Sequence, residues 1–126
     1  MVRKSLNDTL MDIAWKWAER GTCPRLKVGA VIADPSGHII SSGYNGAVSG
    51  KPHCEDEGCI LDGDHCIRAV HAEQNAIVFA ARRGVSVEGA SIHCTHKPCD
   101  RCMNMITQAG ILRVFFGTTY KSNLLA

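Results

Sequence analysis

One imidazole, two thiols and one carboxylate have to meet if His71-Ala72-Glu73 and Pro98-Cys99-Asp100-Arg101-Cys102 work together, and that requirement constrains the fold of this chain more than any other feature. His71, Cys99 and Cys102 supply three soft ligands. Three ligands leave the fourth position of a tetrahedral zinc open to water, whereas a structural site closes it with a fourth protein ligand. Glu73, two residues beyond His71, can face that water without binding the metal and carry its proton. Taken singly, a Cys-x-x-Cys could be a redox pair or half of a zinc ribbon, and a lone helical His is an ordinary surface residue. In this order the two motifs point to a catalytic zinc site with its general acid/base attached.

The rest of the chain has to bring these groups together. Ser5 followed by Asp8 reads as a capping box, and Leu6, Leu10, Ile13, Ala14, Trp17 and Ala18 recur at helical spacing up to Gly21, which predicts an amphipathic first helix. Lys27 to Ala33 and His38 to Ser42 are rich in β-branched residues and flank the turn Asp34-Pro35-Ser36-Gly37, so an antiparallel hairpin is expected. From Gly43 to about His65 the composition turns to Gly, Asp, Glu, Cys and His, a long functional loop that something other than a core must order. Ala69 to Arg83 is helical by composition, with two arginines in its last turn and Gly84 as a stop, which places His71 and Glu73 on its first turn. Ala90 to Thr95 reads as a third strand, Pro98 suits the first turn of a helix running to Gln108, and Ile111 to Thr118 is a fourth strand. This order calls for an α/β fold, a sheet with helices packed on it, whose last two strands run parallel through a right-handed crossover.

At 126 residues and 45% hydrophobic, the chain is expected to form a single domain over 1–126 that buries a core without disulfides. A net charge of +2, with basic residues scattered in ones and twos, suggests a small-molecule substrate rather than nucleic acid. Seven cysteines and an N-terminus without the apolar core of a signal peptide read as a cytoplasmic protein with reduced thiols. Apolar runs such as Val28 to Ala33 are far too short to span a bilayer, so no membrane role is expected.

Both ligand clusters are predicted to open a helix, where unsatisfied N–H groups and the macrodipole favour anions. Cys99 and Cys102, three apart, share a helical face, and a helix N-terminus together with zinc favours their thiolate forms. A second cluster comprises Cys23, Cys54, Cys59, His65 and Cys66, and in a loop with no apolar content it suggests a closed structural zinc site, against the reading of reduced, unbound thiols. Cys94 lies within a strand and reads as a small core residue.

Further segments extend the pattern: Thr22-Cys23-Pro24-Arg25-Leu26-Lys27-Val28-Gly29-Ala30, Ser42-Gly43-Tyr44-Asn45-Gly46, His65-Cys66-Ile67-Arg68-Ala69-Val70-His71-Ala72-Glu73, and Thr95-His96-Lys97-Pro98-Cys99. His-x-Glu followed by Pro-Cys-x-x-Cys is the signature of zinc-dependent nucleobase deaminases. With these segments, the chain resembles the deoxycytidylate (dCMP) deaminases of the cytidine/deoxycytidylate zinc deaminase superfamily from about residue 6 to 120. The resemblance implies a cytidine-deaminase-like three-layer α/β/α sandwich with a mixed sheet. It also implies a reaction, dCMP plus water to dUMP plus ammonia, in which zinc acidifies a water, Glu73 takes its proton, and Glu73 then serves N3 and the departing amine.

The resemblance further assigns Asn45 to the deoxyribose 3′-hydroxyl and the base, Ala72 to the substrate pocket, and Tyr120 to stacking on the cytosine. The plain alternative for Asn45 is an Asn-Gly turn residue. Arg25 and Lys27 are candidate phosphate donors, or solvated charges at a strand end. Cys23 and Cys54 match structural-zinc positions, with the last two ligands open among Cys59, His65 and Cys66. Phe79 and Arg82 match positions near subunit contacts and a nucleotide effector, dCTP or dTTP; read alone, Phe79 has core periodicity and Arg82 complements a helix C-terminus.

Relatives of this type run on into a last helix and a fifth strand, whereas this sequence stops at Ser122-Asn123-Leu124-Leu125-Ala126, so the sheet is expected to lack its C-terminal strand. An open edge recruits partners, and a homo-oligomer, by resemblance a hexamer, is expected. The rival functions are a zinc deaminase acting on dCTP, on another cytosine nucleoside or base, or on tRNA adenosine, and, from another class, a non-catalytic zinc-binding module. An intact Glu73 argues against the last.

Overall fold

The structure is a computed structural model that describes residues 2–63 and 65–118; Tyr120 falls outside them. Its centre is β1 (Gly29–Ala33), whose five residues are all buried because helices cover both sheet faces. Ala30 and Ile32 point into one apolar cluster and Val31 and Ala33 into the other, the alternation a strand imposes. Both neighbours of β1 run antiparallel to it: β2 (Ile39–Tyr44) across the Asp34–Gly37 turn, and later β7 (Ser91–His96). The last strand, β8 (Arg113–Thr118), lies parallel to β7, so the four-stranded sheet has the order β2-β1-β7-β8 and is mixed.

One face carries α1 (Leu6–Ala18), which starts where Ser5 Oγ accepts the Asp8 N–H at 3.1 Å, the expected cap, and buries Leu10, Ala14 and Ala18. A side chain at Gly29 would place its Cβ 1.9 Å from the Ala14 carbonyl oxygen, so α1 can lie directly on β1 only because that residue is glycine. The other face carries α3 (Ala72–Arg82) and α4 (Asp100–Gln108), around Ala72, Ala76, Ala80, Ile92, Cys94 and Ile106. Cys94 is core, as its sequence context predicts. Two helical layers around one sheet give the three-layer α/β/α sandwich expected. In that sheet β8 is an edge strand among the described residues.

Two helix starts differ from the sequence expectation. Ala69 and Val70 are not helical; they form β6, paired antiparallel with β3 (Gly46–Ala47). His71 keeps extended angles, φ −65° and ψ 150°, and is the N-cap of α3 rather than a residue of its first turn. Likewise Pro98 precedes α4, and Cys99, at φ −69° and ψ 169°, caps it. The Cys99 thiol accepts an orphan N–H group as Ser or Asp would, and His71 caps α3 in a capping box with Gln74, so each ligand motif stops the chain one residue short of the helix. The long loop contains short elements, α2 (Cys54–Glu57), β4 (Leu61–Asp62) and β5 (His65–Cys66).

Candidate active site

The two caps face each other. His71 Nδ1 lies 3.2 Å from Cys102 Sγ and 3.7 Å from Cys99 Sγ, and the three donor atoms fall within 4.8 Å of one another. A tetrahedral zinc with bonds of ~2.0–2.3 Å has ligand–ligand edges of roughly 3.5–3.8 Å, so the spacing fits that ion. Cys99 reaches its place because its sulfur accepts the Cys102 N–H at 3.5 Å, and His71 because its own N–H donates to Gln74 Oε1 at 3.3 Å. The expected shared helical face of the two cysteines is in fact a cap and a first-turn residue.

Glu73 is the second residue of α3 and only 3% exposed. Burial pushes its carboxyl pKa up, opposed by its own backbone N–H and by Cys102. The Cys102 thiol is driven far up by burial, then by the Glu73 charge and by Cys99. Anionic groups crowded this deeply call for a cation among them, which is what the donor set offers. α3 seats Glu73 through Gly43 on β2: a Cβ there would stand 2.6 Å from the Ala72 carbonyl oxygen and 2.8 Å from the Ala76 nitrogen. Ala72 itself is fully buried at this contact.

The second cluster resolves into four sulfurs. Cys23, Cys54, Cys59 and Cys66 lie within 4.8 Å of one another, with Cys54 and Cys66 3.4 Å apart and Cys23 and Cys59 3.7 Å apart. The His65 side chain lies outside the described residues. Although burial pushes the Cys66 thiol up, the Ala69 and Arg68 N–H groups and the neighbouring thiols hold it down at about 6. Burial raises its neighbour Cys54, and the surrounding thiols add to that. One thiolate among crowded thiols is a set that a closed, four-sulfur zinc suits.

Asn45 is buried and already engaged: the Val28 N–H donates to its Oδ1 at 2.8 Å and its Nδ2 donates to the Leu26 carbonyl at 2.6 Å. One lone pair and one N–H remain. Next to it, Tyr44 stacks on Trp17 at 5.8 Å with the Arg20 guanidinium 5.4 Å from its ring, which anchors the loop to α1. Arg25 and Lys27 are exposed on the segment leading into β1, and Lys27 Nζ donates to the Gly21 carbonyl at 2.8 Å. Phe79 is 37% exposed, so its apparent core periodicity is misleading. With Arg82 it lines a cleft of about 750 Å³ along β2, also bounded by Trp17, Ile39, Tyr44 and Arg83, which none of the ligand residues lines.

Sequence reasoning assigned no role to Thr22, His53 or Asn75. Asn75 Nδ2 donates to the Tyr44 carbonyl at 2.9 Å, tying the Asn45 loop to α3. Thr22 Oγ1 and His53 Nδ1 lie 2.9 Å apart. A polar residue that bridges loops has no periodicity to betray it; the one signal is that Thr22 and His53 each precede a cluster cysteine.

A mixed sheet between helical layers, with a His-x-Glu cap and a Cys-x-x-Cys cap converging on one ion-sized space beside a buried carboxylate, defines a zinc deaminase of the cytidine-deaminase fold. Comparison with known proteins agrees. The chain belongs to the cytidine and deoxycytidylate deaminase family, whose zinc-binding region matches residues 4–118. It is 46% identical over 123 residues to ComE operon protein 2 of Bacillus subtilis (strain 168), covering 98% of this chain but 65% of that relative's length. Deoxycytidylate deaminase of Enterobacteria phage T2 is 33% identical over 91% of this chain and 81% of its own. Among solved structures, the dCMP deaminase of cyanophage S-TIM5 in complex with dCMP and dUMP superposes with a TM-score of 0.82 at 33% identity, covering 96% of this chain and 87% of that one.

Proposed function

We propose that the chain is a dCMP deaminase, converting dCMP and water to dUMP and ammonia and so supplying the precursor of dTMP. The observation that carries this reading is the buried Glu73 carboxylate held against Cys102 beside the His71, Cys99 and Cys102 donors. The similarity to phage T2 deoxycytidylate deaminase and to the cyanophage enzyme in complex with dCMP and dUMP supports the choice of substrate. Zinc held by His71 Nδ1 and the two sulfurs supplies the Lewis acidity that makes a water acidic near neutral pH.

Glu73 then does the proton work. Its carboxylate, shielded from solvent, takes one proton from the water whose oxygen adds to C4 of the cytosine and delivers it to N3; it then takes the remaining proton from the C4 hydroxyl and gives it to the amine, and the C4–N bond breaks to release ammonia as the C4 carbonyl forms. Burial raises its pKa, which favours holding that proton between transfers. The free donor and acceptor of Asn45 serve the sugar and base, Ala72 walls the pocket, Tyr120 stacks on the ring, and Arg25 and Lys27 take the phosphate. A second, structural zinc is held by Cys23, Cys54, Cys59 and Cys66. The same reading includes a cytoplasmic homo-oligomer, a hexamer, with Phe79 and Arg82 at subunit and dCTP or dTTP contacts. Among the described residues no helix is long and apolar enough to cross a membrane.

Ammonia release from dCMP, dCTP, deoxycytidine and a tRNA anticodon stem tests the assignment, with dCMP expected to be the preferred substrate. Glu73→Gln is expected to lower turnover on the order of 10²–10⁴-fold while leaving zinc content unchanged. Activity on the tRNA alone would sink the substrate, and an undiminished Glu73→Gln would remove that residue from the mechanism.

A further inference from the structure

Thr22 and His53 are not ligands, yet each is the chain neighbour of one: Thr22 precedes Cys23 and His53 precedes Cys54. Thr22 Oγ1 lies 2.9 Å from His53 Nδ1, and the same nitrogen receives the backbone N–H of Ala47 at 3.3 Å. A backbone amide can only donate. Nδ1 therefore carries no hydrogen, the ring proton sits on Nε2, and the Thr22 hydroxyl is a second donor to Nδ1. Main-chain geometry thus sets the tautomer.

Ala47 and Gly46 form β3, paired with β6 directly ahead of His71. Gly46 lies close to the imidazole: an added Cβ would be 3.7 Å from His53 Cε1 and 3.5 Å from Thr22 Oγ1. The Thr22 N–H donates to the Asn45 carbonyl at 3.0 Å, and the Glu55 N–H to the Thr22 carbonyl at 3.1 Å. Three stretches with little apolar packing of their own, around Thr22, Asn45–Ala47 and His53–Glu55, therefore meet at one imidazole and one hydroxyl.

We propose that His53 is a positioning residue: its Nδ1 fastens the Asn45–Ala47 segment to the four-cysteine loop and thereby sets substrate affinity, while proton transfer at Glu73 proceeds without it. This rests on the reading of the Asn45 segment as part of the nucleotide site. The catalytic side has supports of its own, since His71 N–H is held by Gln74, and Asn75 Nδ2 donates to the Tyr44 carbonyl at 2.9 Å and lies 3.5 Å from the Val70 carbonyl. Loss of the imidazole loosens residues 45–47 before it disturbs the ligands.

The test uses the zinc-loaded full chain. His53→Ala is expected to raise KM for dCMP about tenfold with kcat within about twofold, the size of effect left by two donors without an acceptor. His53→Asn, whose amide oxygen has lone pairs for both donors, recovers most of the loss. In the unmodified protein, 15N NMR of the imidazole should give the Nε2–H tautomer, and exchange of the Ala47 amide should quicken in His53→Ala but not in His53→Asn. Should His53→Ala not fold, the tautomer and a smaller KM rise in Thr22→Val carry the test. A proton on Nδ1, Ala47 exchange indifferent to the substitution, or a fall in kcat at unchanged KM would overturn the proposal. Absence of dCMP turnover in the unmodified chain would defeat the functional reading alone, because tautomer and amide exchange report on the tie without substrate.

Discussion

The two sulfur-bearing groups are built in opposite ways. His71, Cys99 and Cys102 sit at the starts of helices of eleven and nine residues that share a core with β1 and β7. Cys23 and Cys59 come from irregular backbone, Cys54 from a four-residue helix and Cys66 from a two-residue strand, with Ile60, Leu61 and Ile67 of that region exposed rather than packed. The first group is positioned by the fold, and an ion there would add chemistry. On the proposed two-zinc reading, an ion in the second would supply what apolar burial does not, and its binding free energy would be folding free energy for the loop.

Removing one ligand from each group should therefore fail differently, and these are the largest effects expected. Cys102→Ala should abolish turnover and one equivalent of zinc but leave the loop's amide protection intact. Cys59→Ser should cost the other equivalent and a larger share of stability, on the order of 4 kcal/mol if the ion is present at a thousandfold its dissociation constant. It should also speed amide exchange across residues 45–70 while folded molecules still turn over. Metal analysis, thermal melts and hydrogen exchange on both variants check this. Indistinguishable behaviour would end the distinction between the two groups.

A second contrast needs no metal. Gly43→Ala forces a Cβ to within 2.6 Å of backbone in the first turn of α3, a clash that only movement of the helix start can relieve. A loss of ~1–3 kcal/mol is expected, together with reduced kcat because Glu73 moves with that turn. Gly50→Ala, in the loop, meets nothing within 4 Å and suffers only from its φ of +83°, so about 1 kcal/mol and an unchanged kcat are expected. Denaturant melts and steady-state kinetics measure both. A loop variant as damaging as the sheet variant would mean that the loop is packed after all.

The same contrast explains what was legible in the sequence. Periodicity located α1, the hairpin, α3, α4 and the parallel final pair because each has an apolar face to bury. Spacing singled out both candidate ligand groups that the fold brings together, because metal chemistry demands particular residue types. The helix starts at His71 and Cys99 were misplaced by a residue or more, since a ligand acting as its own cap looks helical in composition. Of the two readings of Phe79, core periodicity fails because α3 meets the sheet mainly through Ala72, Ala76 and Ala80, leaving its other faces open. Thr22 and His53 carry no such signal because they lie 31 positions apart and the ring's other partner is the Ala47 backbone amide, a group that any residue except proline offers.

The smallest expected effect asks whether acid lability belongs to either sulfur group. His93 is fully buried on β7, stacked on Phe115 at 4.8 Å, with Nε2 3.1 Å from Asn7 Oδ1. Burial pushes its pKa below the usual 6.5, opposed in part by the Val31 backbone. The unfolded chain then binds a proton that the folded chain refuses once pH drops below that usual value, so His93 contributes full stability above it and progressively less towards its lowered folded pKa. Melting temperature should accordingly fall between pH 7.5 and 5.5, and fall less in His93→Gln, with zinc content measured at each pH. If the two slopes coincide while zinc is lost from both proteins, acid attacks the thiolate groups first and the sheet is the more tolerant region; if they differ at constant zinc, the weak point is the α1 face, where a desolvated imidazole lies between Phe115 and the neutral Asn7 amide.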